Sequence, residues 1–157
     1  MSTTICFDFG NTRLKAAIFK GNQLEKLELL ENDGIASVQK LLDQYQPSKT
    51  LLSSVIHHEK AIESLLASYG PFHLLGPQTK LNFTTPVGKP ETIGADRLGL
   101  VAAAVDLYPA EHSLVICLGT CITYNFVNNR GQFLGGSISP GMHMRFKSMN
   151  DLTALLP

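Results

Sequence analysis

The chain has 157 residues, is 44% apolar and 17% charged, and its 13 basic residues balance its 13 acidic ones. That size suits one domain or two small lobes. Near-zero charge argues against a broad electrostatic footprint for nucleic acid or anionic membrane. No apolar run approaches the ~20 residues that span a bilayer, and no basic segment precedes an apolar one at the N-terminus. Cys6, Cys117 and Cys121 lack CxxC spacing and sit in apolar runs. Reduced, buried thiols and a cytoplasmic location are therefore expected.

In chain order, Thr4–Phe7 and Leu14–Phe19 read as strands flanking a tip at Gly10-Asn11-Thr12. Gly21-Asn22 then turns the chain into a third strand, Gln23–Leu30. Apolar residues at Ile35, Val38, Leu41, Leu42 and Tyr45 have helical spacing, and Pro47 marks the end. A strand at Thr50–Val55, a helix at Glu59–Tyr69 and a short strand at Phe72–Leu75 follow. The loop at 76–90 is rich in Pro, Gly and Thr, and Pro90–Tyr108 reads as one helix. Strands at Ser113–Leu118, Ile122–Asn128 and Gln132–Ile138 form a second meander, and a last helix runs from about Pro140-Gly141 to Leu155.

The order βββαβαβ, helix, βββα repeats one device: strand, Gly-Thr tip, strand, strand. The expected fold is α/β with two like-folded lobes, residues 1–109 and 110–157, whose tips face one cleft. The second lobe is expected to be C-terminally incomplete, leaving a sheet edge and an apolar face open.

The first tip turns backbone N–H groups and a hydroxyl toward an anion, and Asp8 at its start can hold a cation or a water beside it. An ordinary hairpin turn has the same Gly-Asn chemistry. The second tip, Gly119-Thr120, favours the phosphate reading. His57-His58 reads as an exposed loop pair, His143 and Met144 as packing residues, and Arg145 and Lys147 as a solvated face.

Four motifs occur in order: Asp8-x-Gly10-Asn11-Thr12-x-x-Lys15, Gly94-Ala95-Asp96-Arg97, Gly119-Thr120-Cys121-Ile122-Thr123, and Gly135-Gly136-Ser137-Ile138-Ser139-Pro140-Gly141. Together they resemble the type III pantothenate kinases, of the actin-like, ribonuclease H-like, sugar-kinase superfamily. That family also contains proteins described as accessory transcription factors. The resemblance runs over essentially the whole chain. It implies ATP-dependent phosphorylation of pantothenate, the opening step of coenzyme A synthesis, by a homodimer.

By position it assigns ATP phosphates to Asp8, Gly10, Asn11, Thr12, Lys15, Gly119, Thr120 and Thr123, with Asp8 holding Mg²⁺ through water. It assigns pantothenate to Gly94, Ala95, Asp96 and Arg97, with Asp96 as general base. The adenosine side falls to Gly135, Gly136, Pro140 and Gly141. The elementary chemistry agrees. A carboxylate within hydrogen-bond reach can take a hydroxyl proton, and a planar guanidinium can clamp a carboxylate. Asp96 also suits a plain helix first turn.

Three positions depart from the family pattern. Cys117 stands where an Asp is linked to a bound monovalent cation, potassium or ammonium, and a neutral thiol is a poor ligand for a hard ion. Asn125 replaces a second Asp, and Val87 stands at a substrate-pocket tyrosine. These substitutions leave an alternative open: a catalytically impaired, nucleotide-binding regulatory or accessory protein. An ATP hydrolase of the same superfamily, with Asp96 positioning water, is a third reading.

Overall fold

The computed structural model describes residues 2–31 and 34–156. The packing divides into two units, Met1–Thr79 with Gly94–Asp96, and Lys80–Ile93 with Arg97–Pro157. These units do not coincide with the lobes expected at 1–109 and 110–157. The reason is the helix Ala95–Leu107 (α3), whose Leu98 and Val101 pack with Val127 and Phe133 and carry most of the helix into the second unit.

The first unit is built on a five-stranded sheet in the order β3-β2-β1-β4-β5. Its strands are β1 (Thr3–Phe9), β2 (Leu14–Lys20), β3 (Gln23–Leu30), β4 (Lys49–Ser54) and β5 (Phe72–Leu74). The first three are antiparallel, while β4 and β5 run parallel to β1. Parallel pairing requires crossovers, and the helices supply them: α1 (Ile35–Tyr45) before β4 and α2 (Lys60–Ser68) before β5.

Strand alternation gives the sheet two different faces. Ile5, Phe7 and Phe9 of β1, Ala16 and Ile18 of β2 and Leu52 of β4 meet Val38, Leu41 and Leu42 of α1 and Ile62 and Leu66 of α2. The other face carries Thr4, Cys6 and Asp8 with their neighbours Phe19, Ala17 and Lys15. Here a hollow of about 570 Å³ is lined by Cys6, Phe19, Leu51, Lys49 and His73 among others. Helix α1 has the bounds its apolar spacing predicts, and it stops where Gln46 turns left-handed, its N–H bonding to Leu42 O.

In the second unit, β6 (Ser113–Leu118), β7 (Cys121–Val127) and β8 (Phe133–Pro140) form an antiparallel sheet in that order. The core is Ile93, Leu98, Val101, Val127 and Phe133, with Leu81, Phe83, Val87 and Val105 packed against it. The opposite face of the sheet is apolar and open: Leu114, Ile116, Leu118 and Phe126 are all exposed. Helix α4 (Met142–Leu152) buries none of its residues.

Several expectations need correction. Pro90–Tyr108 is not one helix but a 3₁₀ turn at Pro90–Thr92 followed by α3 (Ala95–Leu107). Pro140 ends β8 and does not open α4. The last helix stops at Leu152, short of Leu155, and Pro157 lies outside the described residues. Met144 is 43% exposed and His143 is exposed too, so neither packs as expected. The three cysteines are free but only half-buried.

Candidate active site

The first tip grows out of the β1–β2 ladder. Phe9 pairs with Leu14, and Gly10 N–H donates to Arg13 O at 3.1 Å, closing the turn. Asn11, Thr12 and Arg13 stand exposed at the end of it. Just below, Asp8 and Lys15 are register partners and form an ion pair at 3.2 Å. Alternation puts this pair on the face away from α1 and α2, where a nucleotide would meet polar groups and not the core.

Asp96 is brought to the same unit by the break in the 90–107 segment. A Cβ on Gly94 would lie 2.6 Å from Asp96 Oδ1 and 3.8 Å from Val55 Cγ1. The absent side chain is thus the space that the carboxylate occupies. Val55 N–H in turn donates to Phe9 O at 3.0 Å, so the Gly94–Asp96 corner sits beside the end of β1 that carries Asp8. Ala95 is buried and Asp96 half-buried. The Gly94–Asp96 corner and the end of β1, more than eighty positions apart in the chain, are thus brought close through Val55.

The second unit holds a different set. Arg97 Nε donates to Asn125 Oδ1 at 2.7 Å, and the guanidinium lies 5.6 Å from the centre of the Phe133 ring. Asn125 is fully buried, and its amide donates to Val115 O and Thr123 Oγ1, each at 3.3 Å. Hydrogen bonding and a cation–π contact together fix the arginine. Asn125 is the residue that orients Arg97, a role that its sequence position does not disclose. A buried Asp here would bring a charge that the neutral amide avoids.

Around the second tip, Gly119 N–H donates to Cys121 O at 3.0 Å and Gly141 N–H to Thr120 O at 2.9 Å. A Cβ on Gly141 would overlap Gly119 O and Thr120 O, and one on Gly136 would overlap Tyr124 O. Gly119, Thr120 and Gly141 therefore lie together, main chain on main chain. Thr123 is buried within the Asn125 network. Gly135 adopts φ of +109°, a conformation reserved for glycine, and a Cβ there would lie 3.8 Å from Val87 Cγ2. Val87 is an apolar wall residue of this core. Pro140 O accepts from Arg145 Nε at 2.8 Å, so Arg145 is not simply a solvated residue.

The metal expectations divide. Asp8 offers a 42%-exposed carboxylate, and Mg²⁺ is commonly held by one or two carboxylates plus substrate phosphates. A buried hydroxyl without a partner, Ser53 Oγ, lies on the adjacent strand. This donor set fits Mg²⁺. Cys117 sits in β6 opposite Thr123 and brings no hard oxygen, so the residues here do not fit a potassium or ammonium site. Among the described residues no three His, Cys, Asp or Glu side chains cluster as a metal site.

One group escapes a linear reading. His58 is not an exposed loop residue: its side chain is 11% exposed, with Nδ1 3.0 Å from Ser54 Oγ and Nε2 3.1 Å from Glu63 Oε1. Its ring stands edge-on to Phe9 at 6.0 Å, behind the tip. His57 alone is exposed. Cys6, on the polar face, has its thiol pushed up in pKa by burial, partly offset by the charge of Lys49.

Two strand-turn-strand tips with glycine at the turn, each on a sheet of its own, are the device expected of an actin-like fold. A solved protein with actin-like ATPase fold and unknown function from Bacteroides thetaiotaomicron is similar at a TM-score of 0.50 and 7% identity, covering 96% of this chain and 76% of that one. That likeness establishes the fold. The sequence profile of the type III pantothenate kinases matches residues 4–157, and the chain belongs to that family. The type III pantothenate kinase of Christiangramia forsetii is 39% identical over 98% of this chain and 64% of its own length. That of Bacteroides fragilis is 35% identical over 98% of this chain and 63% of its own length. The chain thus spans just under two thirds of these curated relatives. No described helix is long and apolar enough to cross a membrane.

Proposed function

We propose that this chain carries the phosphate-binding and catalytic elements of an ATP-dependent pantothenate kinase. The observation that supports it best is the Gly94–Asp96 corner, which lodges a carboxylate beside the strand end bearing Asp8. In this reading Asp96 takes the proton of the pantothenate primary hydroxyl as its oxygen attacks the γ-phosphorus. A new O–P bond forms, the bridging P–O bond to the β-phosphate breaks, and ADP leaves with the electron pair.

Gly10 closes the tip and lets the backbone approach the phosphates, Asn11 and Thr12 line it, and Lys15 adds a point charge. Gly119, Thr120 and Thr123 contribute the second tip, while Gly135, Gly136, Pro140 and Gly141 give the adenosine side a surface without bulky side chains. Arg97, with Nε committed to Asn125, meets the pantothenate carboxylate through its terminal nitrogens. Asp8 would hold Mg²⁺ through water, and the ion would supply charge neutralisation for the phosphates. No step is assigned to a monovalent cation. The resemblance supports a homodimer as the working unit, and the cysteine pattern a place in the cytoplasm.

The test is coupled ATP turnover with and without pantothenate, on the natural protein and on Asp96→Asn. Pantothenate-dependent turnover that falls at least ~100-fold in the variant, the usual scale for a general base, supports the reading. Turnover indifferent to pantothenate sinks it in favour of a hydrolase. ATP binding without turnover favours a regulatory protein.

A further inference from the structure

Strand β4 carries three hydroxyl residues near its buried surfaces, and two of them are satisfied. Thr50 donates to Leu66 O at 3.3 Å and Ser54 to Ile56 O at 3.0 Å. The third, Ser53, is 8% exposed, and its Oγ has no hydrogen-bond partner among the described residues. Leaving a buried hydroxyl unmade is costly, and such groups usually report a partner that arrives later.

Its position says which partner. Ser53 is in parallel register with Asp8, so the two side chains share a face on strands about 4.8 Å apart. Lys15, Asp8 and Ser53 form a row across β2, β1 and β4. Lys15 occupies one side of the Asp8 carboxylate, with 46% of its own side chain exposed. An ion pair that open is weak and readily exchanged.

Resting on the kinase reading above, we propose that Ser53 is a positioning residue for Asp8. When the triphosphate enters, Lys15 turns from Asp8 to the phosphates, and the carboxylate loses its donor. Ser53 Oγ–H takes that place, directly or through one bound water. It holds the carboxylate in the orientation that meets the Mg²⁺ hydration shell. The free protein keeps the hydroxyl unpaired; the loaded protein uses it.

The experiment is thermal unfolding of the natural protein, Ser53→Ala and Ser53→Thr, each without ligand and across a Mg²⁺ titration at fixed ATP. Without ligand, Ser53→Ala unfolds at the same temperature or higher, because no hydrogen bond is lost. With ATP, it needs about tenfold more Mg²⁺ for the same stabilisation, the effect of one hydrogen bond to a charged group. Ser53→Thr, which keeps a hydroxyl, restores most of that. A ligand-free loss of stability in Ser53→Ala would mark a purely structural serine and overturn the proposal. An unchanged Mg²⁺ dependence would overturn it while leaving the kinase reading intact. Failure of the natural protein to bind Mg²⁺ and ATP at all overturns both.

Discussion

The two sheets solve the same problem to different degrees. In the first unit, one face of five strands is sealed by α1 and α2, and eleven buried residues make a single cluster. In the second, α3 covers the Asn125 face of three strands, while Leu114, Ile116, Leu118 and Phe126 stay exposed on the other. Both units carry a glycine tip of similar construction. The tip is therefore a property of a strand pair and its turn, and a completed layer on both faces is not needed to form it.

The contrast can be broken first in the core. Leu42→Ala empties a fully buried site among β1, β4 and α1, and should cost about 2–5 kcal/mol in chemical denaturation. Leu118→Ser, at a residue 76% exposed, should change stability by under about 0.5 kcal/mol. If the serine variant loses as much as the alanine one, another chain covers that face in solution and the asymmetry is not intrinsic.

A smaller effect tests the tips. Gly141→Ala forces a methyl group onto Gly119 O and Thr120 O, and should destabilise by roughly 1–3 kcal/mol as the second tip shifts. Nucleotide affinity, read by calorimetry, should fall with it. A stable variant binding ATP normally would show that the second tip is not a phosphate element.

The smallest effect is in acid. Asp43 accepts hydrogen bonds from Tyr69 and Gln39, tying α1 to the end of α2, and these hold its carboxyl below the usual carboxylate range. A depressed pKa stabilises the folded form above the ordinary value near 3.9 and loses that support as pH falls through the folded one. Asp43→Asn should flatten the stability profile of the first unit below about pH 4, and near pH 7 it should lack the support that the charged carboxylate gives.

Much of this was legible in the sequence, for local reasons. The bounds of α1 follow from its apolar spacing, and the start of β3 from the Gly21-Asn22 turn before it. The four motifs located the glycines and both tips. What escaped depends on side-chain geometry that spacing along the chain does not record. Before α3 the Asp96 carboxylate fills the space over Gly94, which no periodicity records. Arg97 and Asn125 are 28 positions apart, and His58 is held by Ser54 before it and by Glu63 in the first turn of α2. Nor can an apolar run such as β6 say which of its faces will be covered: alternation distinguishes polar from apolar sides, and here both are apolar.

The closing pair Phe9–Leu14 and the Gly10–Arg13 hydrogen bond have a consequence for how a ligand is met. Only four residues lie between the paired strands, and their ends are already tied. The unbound tip has little backbone freedom left to surrender, so an anion bound there would draw small entropic cost from the chain itself. What association would still have to supply is the shedding of water from the exposed Asn11 and Thr12. Affinity at this tip would thus be governed by hydration, and strengthening it would mean changing what the solvent touches and not how firmly the loop is held.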